Sequence, residues 1–192
     1  MHPYEVSQTL RERAKDESIR LNFGSLYAVV ERLEAQHLIH ARETVREGRR
    51  PERTIYEITE LGRREMVDWL TSLISTPAKE YLQFEAGLTL LPGMAPDEAK
   101  AAFEHRIVAL EMRLAHSQAS RQKVREMGLP RLFDLEGEYA QAMLAAELQF
   151  VRDLVRDMDK DALDGLAEWR SWHAGATSEI RWFPSDASEP TG

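Results

Sequence analysis

The chain has 192 residues, of which 43% are hydrophobic and 30% charged, and its formal net charge is -8 at pH 7. It contains no cysteine, which excludes disulfides, thiolate metal sites and thiol nucleophiles. The first twenty residues are too charged for a signal peptide, and no apolar run approaches the roughly 18 residues of a membrane span. We therefore expect a soluble cytoplasmic protein with one or two domains and no membrane partner.

The negative charge is concentrated in the second half of the chain. Residues 1–75 hold 12 Lys and Arg against 13 Asp and Glu, whereas residues 76–192 hold 13 against 20. An acidic chain is unusual for a nucleic-acid-binding protein, because DNA is a polyanion. Residues 42–53 are the exception, since five arginines stand there against three glutamates. This segment is the first candidate for contact with an anion.

Two short helices are predicted at the start of the chain. Residues 3–15 carry Val6 and Leu10 behind a proline, which the first turn of a helix tolerates. From Asn22, the predicted N-cap, to about His37, one stripe at helical spacing is apolar and the opposite side is small or polar. Two such helices match a helix-turn-helix, but many helical hairpins share the pattern.

A β-hairpin and a third helix are predicted next. Residues 38–45 and 54–59 are rich in β-branched and aromatic residues, and the polar segment between them contains Gly48 and Pro51. Thr59 is the predicted N-cap of a helix that ends near Ser75. The order helix, helix, hairpin, helix indicates a winged helix-turn-helix, and it is far more specific than any one element.

Long helices are predicted in the second half. Residues 79–91 form a helix, residues 92–96 a break, and Asp97 caps a long helix with apolar residues every three or four positions. Residues 128–130 end that segment, and helices follow at about 135–158 and 161–174. Two long helices would expose apolar stripes in a monomer, which predicts pairing with a second copy.

Five strings in the first half resemble the PadR family of winged-helix repressors in order and spacing. They are MHPYEV at residues 1–6, GSLY at 24–27, RLE at 32–34, GRRP at 48–51 and YEITELG at 56–62. The last, a Tyr-x-Ile-Thr-x-x-Gly string after a basic wing, is the most specific. The helical second half resembles the C-terminal domain of the longer PadR regulators, so the resemblance covers most of the chain.

This resemblance implies a mainly α fold with a small β-hairpin wing. Residues 1–76 would form the winged helix-turn-helix, residues 77–183 a C-terminal antiparallel long-helix domain for dimerisation and effector binding, and residues 184–192 a disordered tail. The family usually has another helix before the MHPYEV string, so the first family helix is apparently missing and we expect the native chain to start upstream. The chain also departs from the family pattern at Ala28, His37 and Glu31, where proline, glycine and a basic residue are common.

The function implied by the resemblance is sequence-specific DNA binding by a transcriptional regulator, more often a repressor, acting as a homodimer on a palindromic operator of double-stranded DNA. The implied DNA-binding residues are Tyr4, Ser25, Tyr27, Ala28, Arg49, Arg50, Arg53 and Tyr56. Family regulators are often released from DNA by a small-molecule effector. Trp69, Tyr81 and Phe84 are the candidate pocket residues here, although core packing is the commoner role of such aromatic residues.

No enzyme, cofactor or metal site is predicted. The chain has no nucleophile elbow, phosphate loop, dinucleotide fingerprint or paired-histidine zinc helix, and His37 and His40 span a helix end and a strand start. Two alternatives stay open. The chain could be a winged-helix protein of another class, such as the MarR type, or a protein-interaction module with weak or lost DNA binding, which Glu31 and the missing helix favour.

Overall fold

The structure is a computed structural model that describes residues 1–12, 23–45 and 53–175. In these residues it is mainly helical with one two-stranded antiparallel sheet, which confirms the predicted fold class. It divides into two compact units, Met1–Lys79 and Glu80–Gly192. The predicted N-cap Asn22, the hairpin tip with Arg49 and Arg50, and the predicted tail at 184–192 lie outside the described residues.

The first unit has three helices and a hairpin among its described residues. They are α1 (Pro3–Glu12), α2 (Phe23–Ala35), β1 (Ile39–Val45), β2 (Arg53–Ile58) and α3 (Glu60–Ser75). Helix α1 begins with a reciprocal cap, in which His2 Nδ1 accepts from the Tyr4 amide at 3.2 Å and Glu5 accepts from the His2 amide at 3.0 Å. The proline at its first position has no backbone N–H group that would need an acceptor.

Helix α2 ends in a Schellman motif. The Leu38 amide donates to the Leu33 carbonyl and the His37 amide to that of Glu34, both at 2.9 Å. His37 has a φ of 58°, in the left-handed region that glycine adopts with least strain. The sequence departure at His37 therefore falls on the position where the backbone favours glycine, and this residue turns the chain from α2 into β1.

The two strands pair in antiparallel register, as predicted. Ile39 lies opposite Ile58 and Val45 opposite Arg53, with an irregularity between Ala41 and Glu43. One extra residue, Arg42, is accommodated at that point, which is the behaviour of a β-bulge and increases the local twist.

A close joint connects the end of α2 to the start of α3. The Thr59 hydroxyl accepts from the Gly62 amide at 2.9 Å, so Thr59 is the N-cap, as predicted. The same hydroxyl lies 2.7 Å from the His37 carbonyl oxygen, to which it donates. Gly62 is buried so tightly against Leu38 that a Cβ built on it would lie 2.0 Å from the Leu38 carbonyl oxygen. The Thr-x-x-Gly spacing thus joins the two helices through backbone contact.

The second unit is built on two long helices. Its described helices are α4 (Gln83–Thr89), α5 (Pro96–Glu126), α6 (Leu135–Asp159) and α7 (Leu166–His173), with 3-10 turns at Leu91–Gly93 and Arg131–Asp134. Helices α5 and α6 pack along each other, and α4 and α7 add to the core between them. The buried core side chains are Ala99, Phe103, Leu110, Leu148, Val151, Met158, Leu166 and Trp169.

Three predicted helix starts in this unit were wrong. The helix predicted from residue 79 begins only at Gln83, because Tyr81 and Leu82 are exposed and a short segment without a packed face does not hold a helix. Asp97 is not an N-cap, since Pro96 takes the first helical position and Ala95 is the cap residue. The helix predicted from residue 161 begins at Leu166, after Gly165 with a φ of 80°.

Candidate nucleic-acid interface

The outward face of α2 carries three of the predicted DNA-binding residues. Tyr27 is 55% exposed, Ala28 is exposed and Ser25 is half-buried. The opposite, apolar side of the helix is half-buried, with Leu26, Val30 and Leu33 on it. Amphipathic packing therefore fixes which face of α2 is available to a ligand, and the predicted residues occupy that face or its edge.

Tyr4 occupies the first turn of α1 and is exposed. Its own amide is satisfied by His2 Nδ1, and its carbonyl oxygen accepts from the Ser7 hydroxyl at 2.7 Å. The exposed group that this residue offers to a phosphate is therefore its phenol rather than its amide.

The described part of the hairpin includes Arg53 and Tyr56, both of which are half-buried. Arg42 and Glu57 form an exposed ion pair across the two strands, with 3.9 Å between nitrogen and oxygen. Such a pair is weak in water, and it offsets part of the arginine surplus seen in the sequence. The stem of the hairpin is thus nearly neutral.

Tyr56 connects the hairpin to two other segments. Its carbonyl oxygen accepts from the Met1 amino group at 2.8 Å, and its amide donates to the Met1 carbonyl at 3.2 Å. Burial raises the pKa of the Tyr56 phenol, and the negative charges of Glu34 and Glu31 raise it further. The phenol stays protonated at neutral pH and can donate a hydrogen bond.

Sequence reasoning did not find this grouping of Tyr56 with two carboxylates of α2. The signal available was helical spacing, because Glu31 and Glu34 are three residues apart and so lie on neighbouring parts of the helix surface. Which of these two carboxylates lies near the hairpin depends on the direction of the turn at His37. The sequence pattern does not specify that direction.

The predicted effector-pocket residues have different surroundings. Trp69 is 60% exposed on α3, and Tyr81 is 87% exposed between α3 and α4. Phe84 is half-buried in the second unit, with its ring edge-to-face against Phe103 and Phe150 at 6.5 and 6.4 Å between centroids. The Arg106 guanidinium lies 3.8 Å from the centroid of the Phe84 ring. These contacts give Phe84 a packing role inside its own unit.

Neither a metal site nor a membrane-spanning helix is found among the described residues. Residues 1–12, 23–45 and 53–175 contain no group of three or more ligating side chains placed to hold a metal ion. In the same ranges, no helix combines the length and the apolar character needed to cross a membrane.

One family model matches the N-terminal part of the chain. Residues 1–68 match the model of the transcriptional regulator PadR-like family. Comparison with curated protein sequences gives no significant match.

Solved structures extend the likeness beyond residue 68. Bacillus subtilis PadR, solved in complex with operator DNA, superposes with a TM-score of 0.70 at 17% identity, covering 81% of this chain and 90% of that one. AphA, a virulence activator of Vibrio cholerae, gives 0.60 at 15% identity, covering 83% and 90%. The PadR-like regulator BC1756 of Bacillus cereus gives 0.57 at 16% identity, covering 84% and 91%.

These identities are low, so the structural matches establish the fold alone. The chain therefore carries an N-terminal segment, residues 1–68, that is similar to the PadR-like transcriptional regulators, and over most of its length it shares the fold of solved regulators.

Proposed function

We propose that this protein is a sequence-specific DNA-binding repressor that acts as a homodimer on a palindromic operator. The observation that carries the proposal is the outward face of α2, which presents Tyr27 and Ala28 while the apolar stripe of the helix packs inward. A helix of this kind, followed by a hairpin, suits insertion into the major groove with the hairpin on the backbone. The solved complex of the similar Bacillus subtilis PadR with operator DNA supports this assignment.

The proposed contacts divide by type. Ser25, Tyr27 and Ala28 would lie near base edges, which carry sequence information. Arg49, Arg50 and Arg53 would reach the backbone or the minor groove, and the phenols of Tyr4 and Tyr56 would donate to phosphates. Since the described hairpin stem is nearly neutral, the arginines of the tip supply most of the cationic contribution.

The salt dependence of binding tests the hairpin contacts. Each phosphate contact contributes a slope of about -0.9 to log K against log salt, so the Arg49→Ala, Arg50→Ala double variant of a dimer should flatten the slope by about 3 to 4. The matched control is Arg63→Ala with Arg64→Ala, which removes the same charge from α3. Fluorescence anisotropy on a duplex from the protein's own upstream region would measure both. An unchanged slope removes the hairpin from the contact surface, and absence of any specific complex at low salt favours an interaction module.

The proposed homodimer rests on the exposed one of two apolar stripes along α6. Leu148, Val151 and Met158 face the core and are buried. On the other side of the helix, Tyr139 is 68% and Met143 50% exposed, and both share a stripe with the exposed Leu135 and Phe150. Helix α5 likewise exposes Val108 and Met112 on its outer side. An exposed apolar surface on both long helices is typical of a face that a second copy covers.

Charges placed on the α6 stripe test the dimer. Tyr139→Glu with Met143→Glu should convert a dimer into a monomer in sedimentation velocity, because two carboxylates would be buried at the interface. Ala145→Glu with Gln149→Glu is the control, since it adds the same charges to exposed positions beside the stripe. A wild-type protein that sediments as a monomer at micromolar concentration, or a stripe variant that remains dimeric, contradicts this assignment.

Release by a small-molecule effector is the third part of the proposal. The side chain of Trp69 supports it, because it is 60% exposed and so leaves much of its aromatic surface accessible to a ligand. An effector must bind the DNA-incompetent state more tightly, by about 1.4 kcal/mol for each tenfold of release. A screen of small metabolites for loss of the DNA complex, repeated with Trp69→Ala, tests it. If a metabolite releases DNA equally well from the wild type, Trp69→Ala and Tyr81→Ala, the effector binds elsewhere.

A further inference from the structure

Glu31 puts an uncompensated negative charge on the proposed DNA-facing side of α2. Its side chain is exposed, one helical turn after Tyr27. The residues three and four positions away, which are its neighbours on the helix surface, are Tyr27, Ala28, Glu34 and Ala35, and none of them is a cation. Within the described parts of the chain, none of the ion pairs involves Glu31.

The surroundings of Glu31 strengthen this negative charge. Glu34 lies one turn further along the same helix, and both carboxylates act on the Tyr56 phenol. The cation nearest in sequence is Arg32, but adjacent residues of a helix do not face each other. The exposed carboxylate of Glu31 therefore repels a phosphate that comes into contact with it, and Glu31 has no role as a backbone contact.

A carboxylate on a major-groove helix can be favourable in one way, by accepting a hydrogen bond from a base amino group. An ionised carboxylate is an acceptor only. Cytosine presents its N4 amino donor in the major groove. Adenine also presents a donor, N6, but its N7 acceptor lies beside it and would repel the second oxygen of the carboxylate. Guanine and thymine present acceptors at the corresponding positions. The chemistry of Glu31 therefore selects cytosine.

We propose that Glu31 is a specificity-determining residue that accepts a hydrogen bond from the N4 amino group of a cytosine in each operator half-site. The inference rests on the proposed function, since it requires α2 to enter the major groove. It adds a base preference and explains how an acidic residue fits a surface that meets a polyanion. Its partner is thus a C·G pair at one fixed position of each half-site.

Selection of bound duplexes from a random pool would test the proposal with three proteins, the wild type, Glu31→Gln and Glu34→Gln. Glutamine keeps the size of the side chain but adds a donor, which suits the N7 and N6 groups of adenine. We expect the wild type to require cytosine at one position of each half-site and Glu31→Gln to prefer adenine there. Replacing that C·G pair should weaken wild-type binding by about tenfold for each half-site. Glu34→Gln is the matched control and should keep the wild-type preference, because Glu34 is half-buried.

The outcomes separate this inference from the function on which it rests. A wild-type protein that selects no sequence at all overturns both. A wild-type protein that selects a site, with Glu31→Gln binding every duplex more tightly and keeping the same base preferences, overturns the cytosine contact alone and makes Glu31 a source of repulsion. Far-UV circular dichroism and thermal unfolding of Glu31→Gln should match the wild type, because Glu31 is exposed.

Discussion

Replacing Gly62 with alanine would test the joint between α2 and α3. A Cβ at this position would lie 2.0 Å from the Leu38 carbonyl oxygen and 2.9 Å from Ile58 Cγ1. Ordinary carbon contacts are about 3.5 to 4.0 Å, so the backbone of Leu38 must move by more than 1 Å. The obstacle is main chain rather than a flexible side chain, and it therefore cannot be relieved by a change of rotamer.

The cost follows from the groups that hold Leu38. Its carbonyl oxygen accepts from the Thr59 amide at 3.0 Å and lies 3.1 Å from the Thr59 hydroxyl. Loss of the hydrogen bond from the Thr59 amide costs about 1 kcal/mol, and overpacking adds about 1 to 3 kcal/mol. Alanine returns at most about 1 kcal/mol through its higher helix propensity. We expect the free energy of unfolding to fall by about 2 kcal/mol, which for a unit of this size lowers Tm by about 10 °C.

Scanning calorimetry measures this effect and resolves the two units if they unfold separately. Gly87→Ala in α4 is the matched control, since no atom lies within 4 Å of a Cβ built there. The control should gain up to about 1 kcal/mol from helix propensity. If Gly62→Ala left Tm within a degree of the wild type, or raised it as the control does, the close contact with Leu38 would be refuted.

Three further predictions concern single groups. Thr59→Val should lower the free energy of unfolding by about 1 to 2 kcal/mol, because it removes the cap of α3 and the donor to the His37 carbonyl. Thr59→Ser keeps the hydroxyl and should retain most of the wild-type stability. Equal losses for the two variants in urea unfolding would contradict the capping role. His37→Gly should raise the free energy of unfolding by about 1 kcal/mol, because the φ of 58° strains any residue with a Cβ, and a loss of stability in the same assay would refute that reasoning. The hydrogen bond from Arg131 holds the pKa of Glu138 below its ordinary value, so the pair stabilises the fold above the ordinary pKa and this contribution is lost as the pH falls through the folded pKa. Carboxyl NMR titration should show the Glu138 pKa rising in Arg131→Met, and an unchanged pKa would show that the pair does not form in solution.

Much of the first unit could be predicted from sequence because its signals are local. Thr59 directly before Glu60 and a run of apolar residues at helical spacing predicts a cap whatever the rest of the fold does, and the β-branched residues on both sides of a polar segment predict the hairpin. The side-chain spacing of α2 also assigned Ala28 and Glu31 to the side opposite the apolar stripe, and both are exposed in the structure.

Features that depend on contacts distant in sequence were missed. The pairing of Met1 with Tyr56 joins residues 55 positions apart, and no local pattern encodes it. The proximity of Glu31 and Glu34 to Tyr56 depends on the direction in which the turn at His37 sends the hairpin. In the second unit, the apolar character of residues 79–91 suggested a helix from residue 79, but the helix begins only at Gln83, after the exposed Tyr81 and Leu82.

The acidic residues of the chain are unevenly distributed and partly paired. The excess of Asp and Glu lies mostly after residue 75, and α5 and α6 use part of it in ion pairs between the two helices, such as Arg106 with Glu147 and Arg152 with Glu111. Part of the negative charge in this unit is therefore neutralised by ion pairs between the long helices. The net charge of the whole chain is a poor guide to whether the first unit binds DNA.

The sequence selected by the wild-type protein from a random pool of duplexes tests the central claim most directly. A homodimer that reads DNA with α2 should enrich an inverted repeat whose half-sites are centred about one helical turn, roughly 34 to 36 Å, apart. Failure to enrich any sequence at low salt, or enrichment of a single unrepeated site, would contradict the claim that this chain is a dimeric, sequence-specific DNA-binding regulator.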